Sequence, residues 1–194
     1  MSKPNSKDTI LATARALFGE YGYTSTTFKK IAESSGLALG LITHYFGSKE
    51  NLFVQSSLSI LDTVQEELEK ATSVAPNGLE AVVSFARVYL EFARSRSSDF
   101  LILVSCSPYS DLKNSIAKDD MTQIFEHLVN RLREHIEAGQ ADGSVVQENS
   151  FQLANAVFAT LVGGVRTIML ASYCPEGFYD ATLRYIRRAV QTRR

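Results

Sequence analysis

Apolar residues return every three to four positions from one end of this 194-residue chain to the other, and no two-residue alternation persists anywhere. That period matches the 3.6 residues of an α-helical turn and excludes a sheet as the organising element. A first helix follows a cap at Asn5 or Ser6, with Ile10, Ala14, Leu17, Phe18 and Tyr21 on one face and a stop at Gly22. Thr24 to Thr27 open a short second helix around Phe28, Ile31 and Ala32, ended by Gly36. Residues 39–46 form a third, closed by Gly47, and Ser48 caps a long fourth that runs to about Thr72. Pro76-Asn77-Gly78 signals a turn before a helix bearing Val82, Ala86 and Leu90. A brief apolar stretch at residues 100–104 precedes a break at Ser107-Pro108. Later helices run to about Ala138, over residues 147–172 and from Tyr179 to Val190. Asp142-Gly143-Ser144 and Cys174-Pro175-Glu176-Gly177 separate them. The expectation is an all-α fold of about nine helices, with one domain over residues 1–50 and a second over 51–194.

Composition narrows what such a chain does. The net charge is −1, so no global basic field advertises a polyanionic partner. Its distribution is uneven: residues 1–60 carry +2 and residues 61–194 carry −3. Two cysteines, Cys106 and Cys174, fit neither a disulfide framework nor a zinc site, and a reducing cytoplasm is the simplest compartment. Arg15 interrupts the apolar stretch near the N-terminus, against an export signal. The longest uncharged run, Asn149 to Val165, contains Ser, Gln, Asn and Thr and reads as too short and too polar to span a bilayer. An enzyme would rest on His127 and His135, flanked by Glu126 and Glu134. Eight residues apart on a helix, their rings share a face but lie ~12 Å apart, too far for one metal ion with bonds of ~2 Å. The sequences HExxH, GxSxG, GxGxxG and Walker A are absent. No catalytic residue, metal or cofactor is expected.

Residues 27–46 carry the most specific local pattern: two short helices joined through Gly36-Leu37-Ala38, as in a helix-turn-helix. A plain three-helix packing unit would use the same apolar residues. The surrounding residues add more. They include Ala14-Arg15-Ala16-Leu17-Phe18, Gly22-Tyr23, Thr26-Thr27, Ile31-Ala32, Ser35-Gly36-Leu37, Gly40 and His44-Tyr45-Phe46-Gly47-Ser48-Lys49-Glu50-Asn51-Leu52. This stretch strongly resembles the DNA-binding domain of the tetracycline-repressor (TetR) family of bacterial regulators.

The resemblance implies roles. Residues 39–46 would be a recognition helix in the major groove. Thr26, Thr27, Tyr45 and Lys49 would contact phosphates, with Lys29 as a further contact or a solvated charge. His44 would donate to a phosphate or base edge, or pack between helices. The recognition helix lacks Arg, Lys, Asn and Gln, so bidentate base pairing is unavailable from it. Leu39, Leu41 and Thr43 would touch thymine methyls, or the two leucines face the protein and specificity arises elsewhere. Affinity would then rest on phosphates and fall steeply with salt.

In the body, Phe151, Leu161 and Val165 on one helix, with Tyr179, Leu183 and Ile186 on the last, are the expected homodimer seam. Small residues Ala156, Thr160, Gly163 and Gly164 offer close approach there. The resemblance also implies a cavity for a small-molecule effector. Its lining is expected among Phe85, Tyr89, Phe92, Phe100, Tyr109, Met121, Phe125 and Phe158, which at helical spacing also suit a plain core. Arg166 interrupts an apolar helix and either pairs with an acid across the seam or anchors an anionic ligand. The implied function is a cytoplasmic, ligand-responsive repressor binding a palindromic double-stranded DNA operator as a homodimer, with no membrane partner. The alternatives are a ligand-binding or scaffolding dimer that no longer reads DNA, and a small helical enzyme.

Overall fold

A computed structural model describes residues 5–95, 97–106, 115–170 and 173–192. Among them run α1 (Ser6–Ser25), α2 (Phe28–Ser35), α3 (Leu39–Phe46), α4 (Lys49–Ser73), α5 (Gly78–Ser95), α6 (Ser97–Cys106), α7 (Ser115–Ala141), α8 (Ser150–Leu170) and α9 (Phe178–Val190). The all-α expectation and the helix order hold. The chain groups into two compact units, Met1–Asp62 with Arg96–Thr122 and Thr63–Ser95 with Gln123–Arg194, so α4 and α7 contribute to both.

Local chemistry sets the turns of the first unit. The Asn5 side chain accepts the Lys7 N–H at 2.8 Å and caps α1, and Thr27 accepts the Lys30 N–H at 3.2 Å and caps α2. Gly22, at φ 75°, kinks α1 near its end rather than stopping it. Gly36 takes the left-handed conformation (φ 68°, ψ 17°) that ends α2 and admits the turn to α3. Ser48 opens α4 by accepting the Asn51 N–H at 3.1 Å.

Two eight-residue helices do not persist alone in water, so packing must hold α2 and α3. Ile10, Ala14 and Phe18 of α1 are buried together with Ile31, Ile42 and Phe46. Each large apolar side chain contributes about 1.5–3 kcal/mol. Phe18 meets Phe53 of α4 edge-on with centroids 4.9 Å apart, and Tyr23 lies 4.9 Å from the same ring. Along its other side α1 packs on α6, where the Arg15 guanidinium donates to Asp99 at 2.7 Å.

In the second unit α5, α8 and α9 pack on one another. A Cβ at Gly78 would overlap the Gly139 backbone, so glycine is what lets the start of α5 lie against the end of α7. The predicted turn there also caps α5. Asp142 accepts the Gly78 N–H at 2.8 Å, and the Ser144 hydroxyl accepts the Leu79 N–H at 3.1 Å. Helix α8 starts at Ser150, later than periodicity suggests, because Asn149 caps it: its side chain accepts the Gln152 N–H at 2.9 Å. The Arg187 guanidinium donates two bonds to Glu80, at 2.6 and 2.7 Å, tying α9 to α5.

By length and composition alone α8 qualifies as a membrane span, with 21 residues and an 18-residue window of mean hydropathy 1.6. That corrects the expectation that this stretch is too short and polar. Its packing gives the better account: Leu153, Ala154, Val157, Phe158, Leu161 and Val165 are buried in the second unit's core.

Candidate nucleic-acid interface

Helix α3 has an inner and an outer face. Ile42 and Phe46 are buried, which fixes the helix on α1 and α2. The remaining side chains turn out: Leu39 is 50% exposed and Tyr45 40%, Thr43 and His44 are exposed, and Leu41 is half-buried. Of the two readings of the leucines, the inward one therefore fails for Leu39. The Thr43 hydroxyl donates to the Leu39 carbonyl at 3.2 Å, which uses its proton and leaves a methyl and oxygen lone pairs. The His44 ring lies 5.6 Å from that of Tyr45. No side chain caps α3 at Ala38, so its first N–H groups are unclaimed by a side chain.

Around this helix the expected phosphate contacts divide. Thr26 is corrected: it is fully buried, and its hydroxyl donates to the carbonyls of Leu17 at 3.1 Å and Gly22 at 2.9 Å. It braces the end of α1 and has no surface to offer a phosphate. Thr27 is exposed at the start of α2, with its hydroxyl proton still free to donate after accepting from Lys30. Lys29 is exposed and 4.0 Å from Glu33, an ion pair that contributes little. Lys49 is half-buried. Its ammonium donates to the Tyr23 carbonyl at 2.9 Å and sits 4.2 Å from the centre of the Tyr23 ring, which fixes a positive charge at the start of α4. Tyr23 answers to its own burial first and then to Glu50, both of which raise its pKa.

The body sites depart further from expectation. Leu161, Val165, Leu183 and Ile186 are buried within the chain's own core, so they are not free to form a seam. Tyr179 is half-buried and its hydroxyl donates to the Arg87 carbonyl at 2.9 Å; burial pushes its pKa up. Of the expected seam, Phe151 is outward, 55% exposed. Exposed residues absent from the expected set share the outer surface of α8 and α9: Leu170 and Tyr185, beside exposed Ala156, Gly163 and Ala181. Tyr185 was missed because it lies between Leu183 and Ile186 but on the other face. Gly164 is buried against Leu90 and Thr182.

The aromatic set is packed core. Phe85, Tyr89, Phe92, Phe125 and Phe158 are buried, with Tyr89 and Phe125 edge-on to Phe158 at 5.6 and 6.0 Å. Phe100 is buried and belongs to the first unit. Tyr109 and the Met121 side chain lie outside the described residues. Arg166 is half-buried on α8. Between α4, α5 and α7 lies a groove with about 10 Å³ of room for water-sized groups, and of the expected set it takes in Phe85. It is lined also by His127, Arg131 and His135. No group of three or more metal-ligating side chains occurs among the described residues.

A family model described as bacterial regulatory proteins, tetR family, matches residues 10–55. The HTH-type transcriptional repressor AcnR of Corynebacterium glutamicum is 37% identical over 79 residues, 41% of this chain and 39% of that protein. The HTH-type transcriptional dual regulator CecR of Shigella flexneri is 37% identical over 101 residues, 52% of this chain and 41% of that protein. The chain thus matches about two fifths of the length of these curated relatives. A solved structure of a candidate transcriptional regulator from Saccharomonospora viridis in complex with choline has the same fold, with a TM-score of 0.83 at 18% identity. That likeness covers 97% of this chain and 98% of that one. The matched segment falls on the helices that present α3, and over that segment the chain is similar to the tetR family of bacterial regulatory proteins.

Proposed function

We propose that the protein is a DNA-binding transcriptional regulator, acting as a repressor in the cytoplasm, that holds a palindromic operator as a homodimer and responds to a small effector. One observation carries the reading: the outward face of α3, with Leu39, Thr43, His44 and Tyr45 exposed on a helix whose opposite face is buried. Such a helix fits the major groove, with Thr27 and Lys49 taking the flanking phosphates. Without Arg, Lys, Asn or Gln on α3, base readout comes from methyl contacts by Leu39 and Thr43 and from DNA shape.

A second copy docks through the outer surface of α8 and α9, where Phe151, Leu170 and Tyr185 stand beside small residues that let helices approach closely. The dimer presents two α3 helices about 34–36 Å apart, one turn of DNA. Helix α4 begins at Lys49 in one compact unit and ends in the other, so an effector that shifts its far half moves the head. A coupling of about 1–3 kcal/mol changes operator affinity about 5- to 150-fold. The fold neighbour that holds choline supports a ligand-binding role for this architecture.

Selection of bound genomic fragments, followed by salt titration on the recovered site, tests the reading. A palindrome whose affinity falls steeply with salt is expected. Recovery of no site, together with a flat salt dependence on random duplex, would transfer the protein to the rival reading of a helical dimer that does not bind DNA.

A further inference from the structure

Gly40 is exposed in the first turn of α3, and nothing in the fold requires a glycine there. Its backbone is helical without a positive φ, and a Cβ at this position would meet nothing within 4 Å. Glycine inside a helix is unfavourable relative to alanine, so an exposed helical glycine with no neighbour points outward, to close approach of another molecule. Gly163 on α8 is of the same kind, and it lies on the surface assigned above to the second copy.

One turn beyond Gly40 stands His44. A helical side chain leans toward the N-terminus, over the residue four positions earlier. For His44 that residue is Gly40, so the imidazole borders open space. The ring is exposed, the Tyr45 ring lies tilted beside it at 5.6 Å, and among the described residues it has no hydrogen-bond partner. His44 is also the one side chain of α3 with a nitrogen donor, and Thr43 has already given its hydroxyl proton to the Leu39 carbonyl.

A single N–H beside an open backbone suits one base edge of the major groove. Guanine presents two adjacent acceptors, N7 and O6. Adenine sets an amino donor beside its N7, cytosine offers a donor, and thymine sets a methyl beside O4. The N-terminal residues of a recognition helix are the ones that meet base edges, and Gly40 is the second residue of α3. We propose that Gly40 and His44 together read one guanine in each operator half-site. The base edge enters the space over Gly40, and the His44 N–H donates to guanine N7. This hydrogen bond adds to the methyl contacts of Leu39 and Thr43, and it rests on the DNA-binding reading above.

The test begins with selection of bound sites from random-sequence duplexes by the full chain, followed by fluorescence anisotropy on the recovered site. An invariant guanine in each half-site is expected. Replacing it with 7-deazaguanine, which keeps Watson–Crick pairing and exchanges N7 for CH, weakens the parent about tenfold. His44→Ala binds the two duplexes alike. Gly40→Ala loses about tenfold or more in operator affinity while its melting temperature, followed by circular dichroism, stays level or rises. The proposal is overturned if the recovered half-sites hold no invariant guanine, if 7-deazaguanine weakens parent and His44→Ala equally, or if Gly40→Ala binds as the parent does. A lowered melting temperature in Gly40→Ala also overturns it, because the glycine then serves the fold. A parent that binds no duplex removes the DNA-binding reading and this proposal together; a parent that binds while both variants match it removes this proposal alone.

Discussion

Helices α3 and α9 both carry an apolar stripe, yet the stripes mean different things. In α3 the buried residues, Ile42 and Phe46, are covered by α1 and α2, which precede them in the chain by a few turns. What remains outside, Leu39, Thr43, His44 and Tyr45, is what a DNA groove would meet. In α9 the stripe of Leu183, Ile186 and Val190 is covered by α5 and α8 of the same chain, and Tyr185 and Ala181 stand outside. A stripe announces that a face is covered. It does not announce whether the cover is a neighbour in sequence, a distant helix or a second copy.

The largest expected effect separates core from seam on α8. Phe158→Ala removes a fully buried ring that packs on Tyr89 and Phe125, and denaturant unfolding should report a loss of about 3–5 kcal/mol. Phe151→Ala, on the outer face, should leave unfolding at low protein concentration within about 0.5 kcal/mol. Its mark should be a raised dimer dissociation constant in sedimentation. Equal losses of stability from the two would erase the distinction.

A smaller effect divides brace from contact in the head. Thr26→Val withdraws the donor from the Leu17 and Gly22 carbonyls and should cost about 1–3 kcal/mol of stability. The slope of operator affinity against salt should stay as it was; a shallower slope would return Thr26 to the interface. Lys49→Ala should instead reduce that slope by about 0.9 and weaken every DNA sequence alike. Leu39→Ala should alter preference at one base position only, and a uniform loss from it would remove the methyl-contact reading.

The smallest effect concerns the tie between α9 and α5. Two hydrogen bonds from Arg187 hold the Glu80 carboxyl below its ordinary pKa. A depressed carboxyl stabilises the fold above its unfolded value, about 4.3, and that contribution is lost as pH falls through the folded value. Glu80→Gln should therefore lower stability by about 1 kcal/mol at pH 7, the scale of a partly exposed pair. Parent and variant should converge once the pH falls below the folded value. A gap that persists there would mean packing, rather than charge, holds α9.

Much of the head was legible because its determinants are local. Gly36 needs a positive φ, Thr27 and Ser48 need a helix N-terminus three residues away, and each can be read within one turn of chain. Thr26 misled because a threonine before a helix looks the same whether its hydroxyl points to water or back to the Gly22 carbonyl. The late start of α8 was hidden because Asn149, whose side chain caps the helix, looks like one more uncharged residue of an apolar run.

By itself the sequence determined that the chain is helical, where most helices begin and end, and which of them form the helix-turn-helix head. Backbone preference and apolar period decide those things over a few residues, so no distant partner is needed. Tertiary structure alone decided which apolar faces were spent inside the chain. Leu161, Val165, Leu183 and Ile186 went to the core; Phe151, Leu170 and Tyr185 were left outside. It also gathered His127, Arg131 and His135 over Leu68 and Phe85, joining α7 to two helices some 40–70 residues earlier in the chain. Burial is a property of who packs against whom, and helical periodicity carries the phase of a stripe without the address of its partner.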